Sequence, residues 1–486
     1  YRRQRQMCIR DRLVDRGENR IGMVFSSLLF LCIFLPIVLL LYFWNSNITY
    51  RNTVMVIASL IFYAWGEPVW VIALLFSAAI DYVNGLIIHK YFGKWQAKLA
   101  LIMSLVLNLG ILATFKYSSW IISSINTGFG LSIPYYNFAL PLGISFYTFQ
   151  TLSYTIDMYR GEIEVQKNPL SFLCYVSMFP QLVAGPIVRY IDIEHQINDR
   201  HVTLKGFEYG ILRFVQGMVK KVVFANGVGA IATALLDGNM ASSSVLSAWV
   251  GIIAYTFQIY FDFSGYSDMA IGMGRMFGFN FLENFNYPYI AKNVTDFWRR
   301  WHISLSTFFR DYVYIPLGGN RRHQIFNILL VWTLTGLWHG ASWNFLLWGA
   351  YYGILLVIEK KMFRGALMRL PSFFAHLYTI IVFVLGWALF YYTDFGALKD
   401  WFLCAFGGTG KLYDFAGFTT LMSNLWLLIA CAVISTPVLR YGYRWFAKKC
   451  SAVNVIVTPV LVVALLAFCF ILLVGETYNP FLYFRF

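Results

Sequence analysis

Charged residues are scarce in this sequence. Asp, Glu, Lys and Arg together make up 13% of its 486 residues, whereas soluble domains contain about 25%. Apolar residues make up 59%, and the mean hydropathy is +0.61. This composition excludes an ordinary soluble domain and predicts a protein that crosses a lipid bilayer several times.

The sequence also lacks cysteines at paired spacing and the His-Glu-x-x-His motif of zinc proteases. The seven cysteines are scattered without CxxC spacing, so we interpret them as packing residues and not as a disulfide or metal framework. The net charge is +15, but Lys and Arg gather at the ends of apolar runs, as in inner loops beside anionic lipid. We therefore expect the lipid bilayer as a partner and no nucleic acid.

Long apolar runs predict the fold class. They lie near residues 23–44, 52–65, 69–88, 99–120, 207–232, 244–261, 326–358, 373–393, 418–438 and 455–475. By the length rule we predict an all-α integral membrane protein with about 11 to 13 transmembrane and re-entrant helices. The positive-inside rule puts the basic loop 89–98 and the arginines at 321–322 in the cytoplasm and the turn at 66–68 outside.

The first 22 residues differ from the rest of the chain, because they carry seven Arg and three acidic residues before the apolar run that begins at Met23. The same rule places residue 23 outside, where seven arginines would violate it. We predict that residues 1–22 are a non-native or disordered extension and that 23–486 form a single polytopic domain. The alternative is a basic cytoplasmic tail with an inverted first helix.

Three segments combine Pro, Gly and polar residues within apolar surroundings, namely 138–150, 178–189 and 260–272. Non-helical backbone at membrane depth persists only when it is buried in protein or lines a wet cavity. We therefore predict breaks in these segments and a central polar chamber or funnel ringed by more regular helices. The paired broken helices of a transporter repeat are not found.

The segment Asp296–Asp311 fits a helix with one polar stripe. Its polar residues recur at i, i+3, i+7 and i+11, as Arg299, His302, Ser306 and Arg310. Beyond it, residues 311–322 form a Pro/Gly-rich loop whose amides and arginines are suited to a phosphate-bearing donor. A surface loop that only obeys the positive-inside rule explains the loop equally well.

A second histidine, His339, lies in an apolar stretch that reads as a buried helix. Thr335 and Ser342 at i−4 and i+3 predict one polar face, and Gly336 and Gly340 predict close approach of another backbone. A neutral imidazole there is suited to act as a general base if its second nitrogen is held by a partner. A core histidine with an interhelical hydrogen bond is the open alternative, and for His302 we favour a structural or substrate-orienting role.

Four ordered motifs carry a resemblance to a known family. They are the segments 260–272, 296–306, 310–320 and 337–345. Together they strongly resemble the membrane-bound O-acyltransferases, within them most closely the bacterial alginate O-acetylation branch and more distantly the teichoic acid D-alanylation proteins. The resemblance runs from about Met23 to the C-terminus.

The resemblance implies an acyltransferase of the bacterial cytoplasmic membrane. An acyl thioester, acetyl-CoA in the first place, would enter from the cytoplasm, and the acetyl group would leave for an extracytoplasmic polysaccharide with the help of an extracytoplasmic partner acyltransferase. No permanently bound cofactor or metal is implied. The family's two histidines map onto His339, as the base, and His302. The candidate substrate-binding residues are Arg299, Ser306, Arg310, Asp311, Tyr314, Asn320, Arg321, Thr335, Ser342, Trp343 and Asn344. A proton-coupled carrier using Asp157, Asp262 and Asp268, or a scaffold for a polysaccharide exporter, are the alternatives.

Overall fold

The structure is a computed structural model that describes residues 23–136, 138–182, 185–363, 370–475 and 481–482. Every regular element within these ranges is helical, which confirms the predicted all-α class. Seven of the described helices are long and apolar enough to cross a membrane. The predicted extension, residues 1–22, lies outside the described ranges.

Shorter helices complete the architecture between and beside the spans. In chain order the helices are α1 Phe30–Phe43, α2 Ile48–Gly66, α3 Val71–Lys90, α4 Trp95–Phe129, α5 Ile144–Arg160, α6 Pro169–Ser177, α7 Tyr190–Asn198, α8 Leu204–Leu236, α9 Val245–Met276, α10 Val294–Arg300, α11 Ile303–Phe309, α12 Gln324–His339, α13 Trp343–Ile358, α14 Ser372–Tyr391, α15 Phe395–Ala405, α16 Phe415–Ile434, α17 Val438–Lys449 and α18 Ser451–Val474. The apolar run 326–358 thus forms two helices, α12 and α13.

Two of the three predicted breaks are present. Helix α5 begins only after Gly143, which has a positive φ of 72° that favours glycine. The segment 178–189 contains one helical turn, Phe179–Leu182, and residues 186–189 that follow it have no regular structure. The break at 178–189 is buried, whereas residues 138–140, which precede α5, are exposed.

The third predicted break, at 260–272, is wrong, because this segment lies inside the continuous helix α9. Its glycines serve helix packing. A Cβ added to Gly265 would lie 2.8 Å from the carbonyl oxygen of Gly217, and one added to Gly272 would lie 2.6 Å from that of Gly210. The glycines therefore let α8 and α9 cross with their backbones in contact.

The carboxylates of α9 are neutralised by the same crossing. Lys221 Nζ lies 2.5 Å from Asp262 Oδ1, and both side chains are 3% exposed. Asp268 pairs with Arg213 at 2.7 Å and with Lys220 at 2.6 Å. These acids are thus held in ion pairs between two packed helices.

Candidate active site

The segment 296–311 is not one helix, and the predicted single polar stripe is wrong. Helix α10 ends at Arg300, α11 begins at Ile303, and His302 between them has the left-handed conformation (φ 45°, ψ 56°). Such a conformation is strained for a non-glycine residue and costs about 1–3 kcal/mol. Hydrogen bonds to one residue, Asn284, hold this break: its backbone carbonyl accepts from the amide of Ile303 at 2.9 Å.

Asn284 also fixes the imidazole of His302. The Nδ1 atom lies 3.0 Å from Asn284 Oδ1, which accepts a second hydrogen bond from Ser304 Oγ at 2.9 Å. The amide nitrogen of Asn284 donates to Ser267 Oγ, so the oxygen faces His302 and Nδ1 carries the proton. The Nε2 atom then presents its lone pair, and it has no hydrogen-bond partner among the described residues.

His339 is the last residue of α12. Gly340 after it is extended (φ −171°, ψ 159°), and Ser342 precedes the first residue of α13. Ser342 is therefore not on the helical face of Thr335 and His339, and that prediction is wrong. The close approach of another backbone is confirmed at Gly336, where an added Cβ would collide with the backbone of Phe345 in α13, but it is wrong at Gly340, where the neighbour is the ring of Phe345.

Both histidines line one cavity, which we call the inner cavity, with a volume of about 410 Å³. A second, outer cavity of about 790 Å³ adjoins it. The two share wall residues, which are Thr295, Arg299, Tyr314, Val331, Trp332 and Leu356. The two adjoining cavities form a chamber, but no residue of the segments 138–150, 178–189 and 260–272, from which a polar chamber was predicted, is among its described wall residues. Buried aromatic rings surround His339, with the Trp348 ring 5.0 Å away and the Phe390 ring 5.3 Å away.

Six of the predicted substrate-binding residues lie on these walls: Arg299, Ser306, Arg310, Tyr314, Asn320 and Thr335. Asn320 closes the outer cavity on the side of the 311–322 loop. Its Oδ1 accepts hydrogen bonds from Tyr314 Oη at 2.9 Å and from Lys360 Nζ at 2.7 Å. The walls of the outer cavity thus combine two basic side chains, Arg299 and Lys360, with two acidic ones, Asp296 and Glu359, and with neutral hydrogen-bonding groups.

The other five predicted residues lie away from the walls of these two cavities. The Asp311 carboxylate accepts from Arg189 at 2.9 Å and from Arg310 at 2.6 Å, which anchors the turn after α11. The remaining four are the exposed Arg321, Ser342 at the start of α13, the half-exposed Trp343, which donates to Ser124, and the buried Asn344, whose amide lies 3.4 Å from two carbonyls of α14.

Several wall and supporting residues were not found from the sequence. Lys360 follows the apolar run 326–358, where basic residues were interpreted only as part of inner loops beside anionic lipid, and Glu359 beside it also lines the outer cavity. Asn284 lies outside all four motifs. The one available signal was the polar Glu283–Asn284 pair in an aromatic stretch, and that pattern names no partner. Its contact with His302 exists only in the folded chain.

Comparisons with known proteins were made for the whole chain. Residues 95–396 match the family model of the membrane-bound O-acyltransferases. The chain is 44% identical over 377 residues to the probable alginate O-acetylase AlgI of Pseudomonas aeruginosa, covering 76% of this chain and 72% of the relative. It is 39% identical over 508 residues to the AlgI of Azotobacter vinelandii, covering 96% and 100%. It is 35% identical over 405 residues to the peptidoglycan O-acetyltransferase of Helicobacter pylori, covering 76% and 77%.

Proposed function

We propose that this chain, which belongs to the membrane-bound O-acyltransferase family, transfers an acetyl group from a cytoplasmic thioester to an extracytoplasmic polysaccharide. Membership of the family and its similarity to named acetyltransferases make it a multi-pass membrane acyltransferase. The observation that carries the finer proposal is the pair of histidines on one cavity that adjoins a second cavity, whose walls carry the cations Arg299 and Lys360 and the carboxylates Asp296 and Glu359.

His339 is the proposed general base. It removes the proton from an acceptor hydroxyl while the hydroxyl oxygen attacks the thioester carbonyl carbon. The C–S bond then breaks, and the departing sulfur takes up the proton, so that a free thiol and an oxygen ester are formed. The buried, aromatic surroundings of His339 exclude bulk water, which protects the thioester from hydrolysis.

His302 has the proposed role of orienting the reacting groups. Because Asn284 holds its Nδ1–H, we propose that the Nε2 of His302, a residue that lines the inner cavity, accepts a hydrogen bond from the acceptor hydroxyl. The same geometry suits a base. The two roles are therefore distinguished by experiment, and an exchange of roles between His302 and His339 is the second candidate.

The outer cavity is the proposed entrance for the donor. Lys360, Arg299 and Asn320 offer cationic and amide groups to a phosphate-bearing thioester such as acetyl-CoA. Arg321 lies next to Asn320 in the same loop and would meet the donor outside the cavity. Acetyl transfer from a thioester needs no metal and no permanently bound cofactor when a base and polarising donors are in place.

The acceptor is proposed from the names of the relatives. Relatives carry names that refer to alginate and to peptidoglycan, which supports a polysaccharide acceptor. We propose the bacterial cytoplasmic membrane as the location and an extracytoplasmic acyltransferase as the partner. Ser342 precedes α13, Trp343 and Asn344 are its first two residues, and we propose that all three lie beside the acceptor path.

The test is acetyl transfer by variants in isolated membranes, followed as thiol release from acetyl-CoA and as ester on the cell polymer. We expect His339→Ala to accumulate normally and to lose transfer by at least 100-fold, which is the usual contribution of a general base. His302→Ala is expected to be milder. His89→Ala, at an exposed residue at the end of α3, is the control. If H339A were fully active and H302A inactive, His302 would be the base and His339 the orienting residue.

A further inference from the structure

A partly buried lysine contacts the end of the helix that carries His339. Lys116 lies in α4, one of the seven candidate spans. Its ammonium group donates to the backbone carbonyl of Trp338 at 2.5 Å and to Ser145 Oγ at 3.3 Å. The next residue, Tyr117, donates from its hydroxyl to the carbonyl of Leu337 at 2.7 Å. Two adjacent side chains of α4 thus hold two consecutive carbonyls of α12.

These carbonyls need partners from outside their own helix. The last carbonyls of a helix have no intrahelical donor. At this end of α12, the amide of Gly340 donates a hydrogen bond to the carbonyl of Gly336, which leaves the later carbonyls to other donors. Within a membrane, water does not supply the missing donors. A lysine near a helix C-terminus supplies a donor and also a charge that complements the negative end of the helix dipole.

The placement of Lys116 is not explained by an ion pair. None of the salt bridges among the described residues includes it. Of the hydrogen bonds it makes, the shorter one goes to the residue directly before His339.

The end of α12 is held from two sides. On one side, Gly336 and Gly340 allow Phe345 of α13 to contact the helix backbone. On the other side, Lys116 and Tyr117 bind its carbonyls. His339 is the last helical residue, and the chain becomes extended directly after it. Release of either side would let the final turn unwind and move the imidazole.

We propose that Lys116 and Tyr117 are positioning residues that hold His339 in the inner cavity, an inference that rests on the proposed role of His339. Neither residue lines the cavities, so they act through the backbone of α12 and not on the substrate. Lys116 is the stronger of the two, because it adds charge to the hydrogen bond. Its bond to Ser145 also ties α5 to the same point.

The test compares Lys116→Met, Lys116→Arg and Tyr117→Phe, with Lys98→Met as the matched control at an exposed lysine of the same helix. We expect K116M to lower kcat for transfer from acetyl-CoA at least tenfold with KM changed less than twofold. Y117F is expected to lower kcat about threefold. K116R should recover much of the loss, because arginine keeps the charge and donors, and K98M should match the wild type.

A second measurement reports on His339 independently of activity. Purified protein is treated with diethyl pyrocarbonate, and carbethoxylation of each histidine is followed by peptide mass spectrometry. We expect His339 to react several-fold faster in K116M, while His302, held by Asn284, reacts at the wild-type rate.

The outcomes separate the two proposals. Unchanged kcat and unchanged reactivity of His339 in K116M would overturn the positioning role, and so would equal changes at His302 and His339, which would indicate general loosening. If K116M fails to accumulate, Y117F decides: wild-type kcat and labelling would overturn the inference. Full activity of H339A would overturn the catalytic role of His339 alone, because the labelling result does not depend on it.

Discussion

The close packing of α12 against α13 predicts the effect of a substitution at Gly336. A Cβ added there would lie 3.3 Å from the Cα of Gly349 and 3.2 Å from the carbonyl carbon of Phe345, and closer still to the carbonyl oxygen of Phe345. Carbon atoms pack at about 3.5–4.0 Å, so Gly336→Ala must separate the two backbones by about 1 Å. Because both contacts are with backbone atoms, a change of side-chain rotamer cannot relieve them.

The expected cost follows from that displacement. Overpacking of this kind destabilises a protein by about 1–3 kcal/mol. His339 is three residues further along α12, and a misplacement of about 1 Å at a catalytic group lowers the rate by up to 100-fold. We therefore expect G336A to remain in the membrane, to unfold at a lower concentration of denaturing detergent, and to lose most of its acetyl transfer.

The assay pairs unfolding in mixed detergent micelles with thiol release from acetyl-CoA. Gly110→Ala is the matched control, because Gly110 lies in α4 with nothing within 4 Å of an added Cβ. Alanine is the better helix former by about 0.5–1 kcal/mol, so the control should be neutral or slightly stabilised. Wild-type stability and rate in G336A would refute the close crossing and the reasoning built on it.

Three further predictions concern the site and its orientation. Asn284→Ala should lower kcat roughly 10- to 100-fold by releasing His302; an unchanged rate would contradict the role of this hydrogen bond. Lys360→Ala should raise KM for acetyl-CoA about tenfold with little change in kcat, whereas a pure kcat effect would argue against the entrance. In a cysteine-depleted chain, an impermeant maleimide should label Glu67→Cys in intact cells and Arg322→Cys only after permeabilisation; the reverse pattern would invert the topology.

The sequence predicted some local features of the site but not others. The wall residues Tyr314 and Asn320 lie in the loop-forming segment predicted from the sequence, whereas Arg299 lies on the wall although the helical stripe that predicted it is broken. The break at His302 was not, because the segment 296–311 has ordinary helical periodicity. A left-handed residue is stabilised there by hydrogen bonds that Asn284, a residue outside the segment, accepts from His302 and Ile303.

Glycine residues have two different structural roles in this fold, and the sequence does not distinguish them. At Gly143 it permits a positive φ and begins a helix, as predicted for a break. At Gly265 and Gly272 it lies inside a continuous helix and makes room for the backbone of α8. The residue type is the same, and the difference depends on whether another helix approaches.

The sequence by itself determined the class of the molecule, because scarce charge and long apolar runs are stable only as helices in a bilayer, and its ordered motifs indicated the family and the two histidines. Only the tertiary structure brought His302 and His339 onto one cavity and placed Lys116 of α4 against the end of α12. Apolar patterning is a local property that specifies which helices form. The groups that hold a histidine in place are contacts between helices far apart in the chain, and these exist only once the helices have packed.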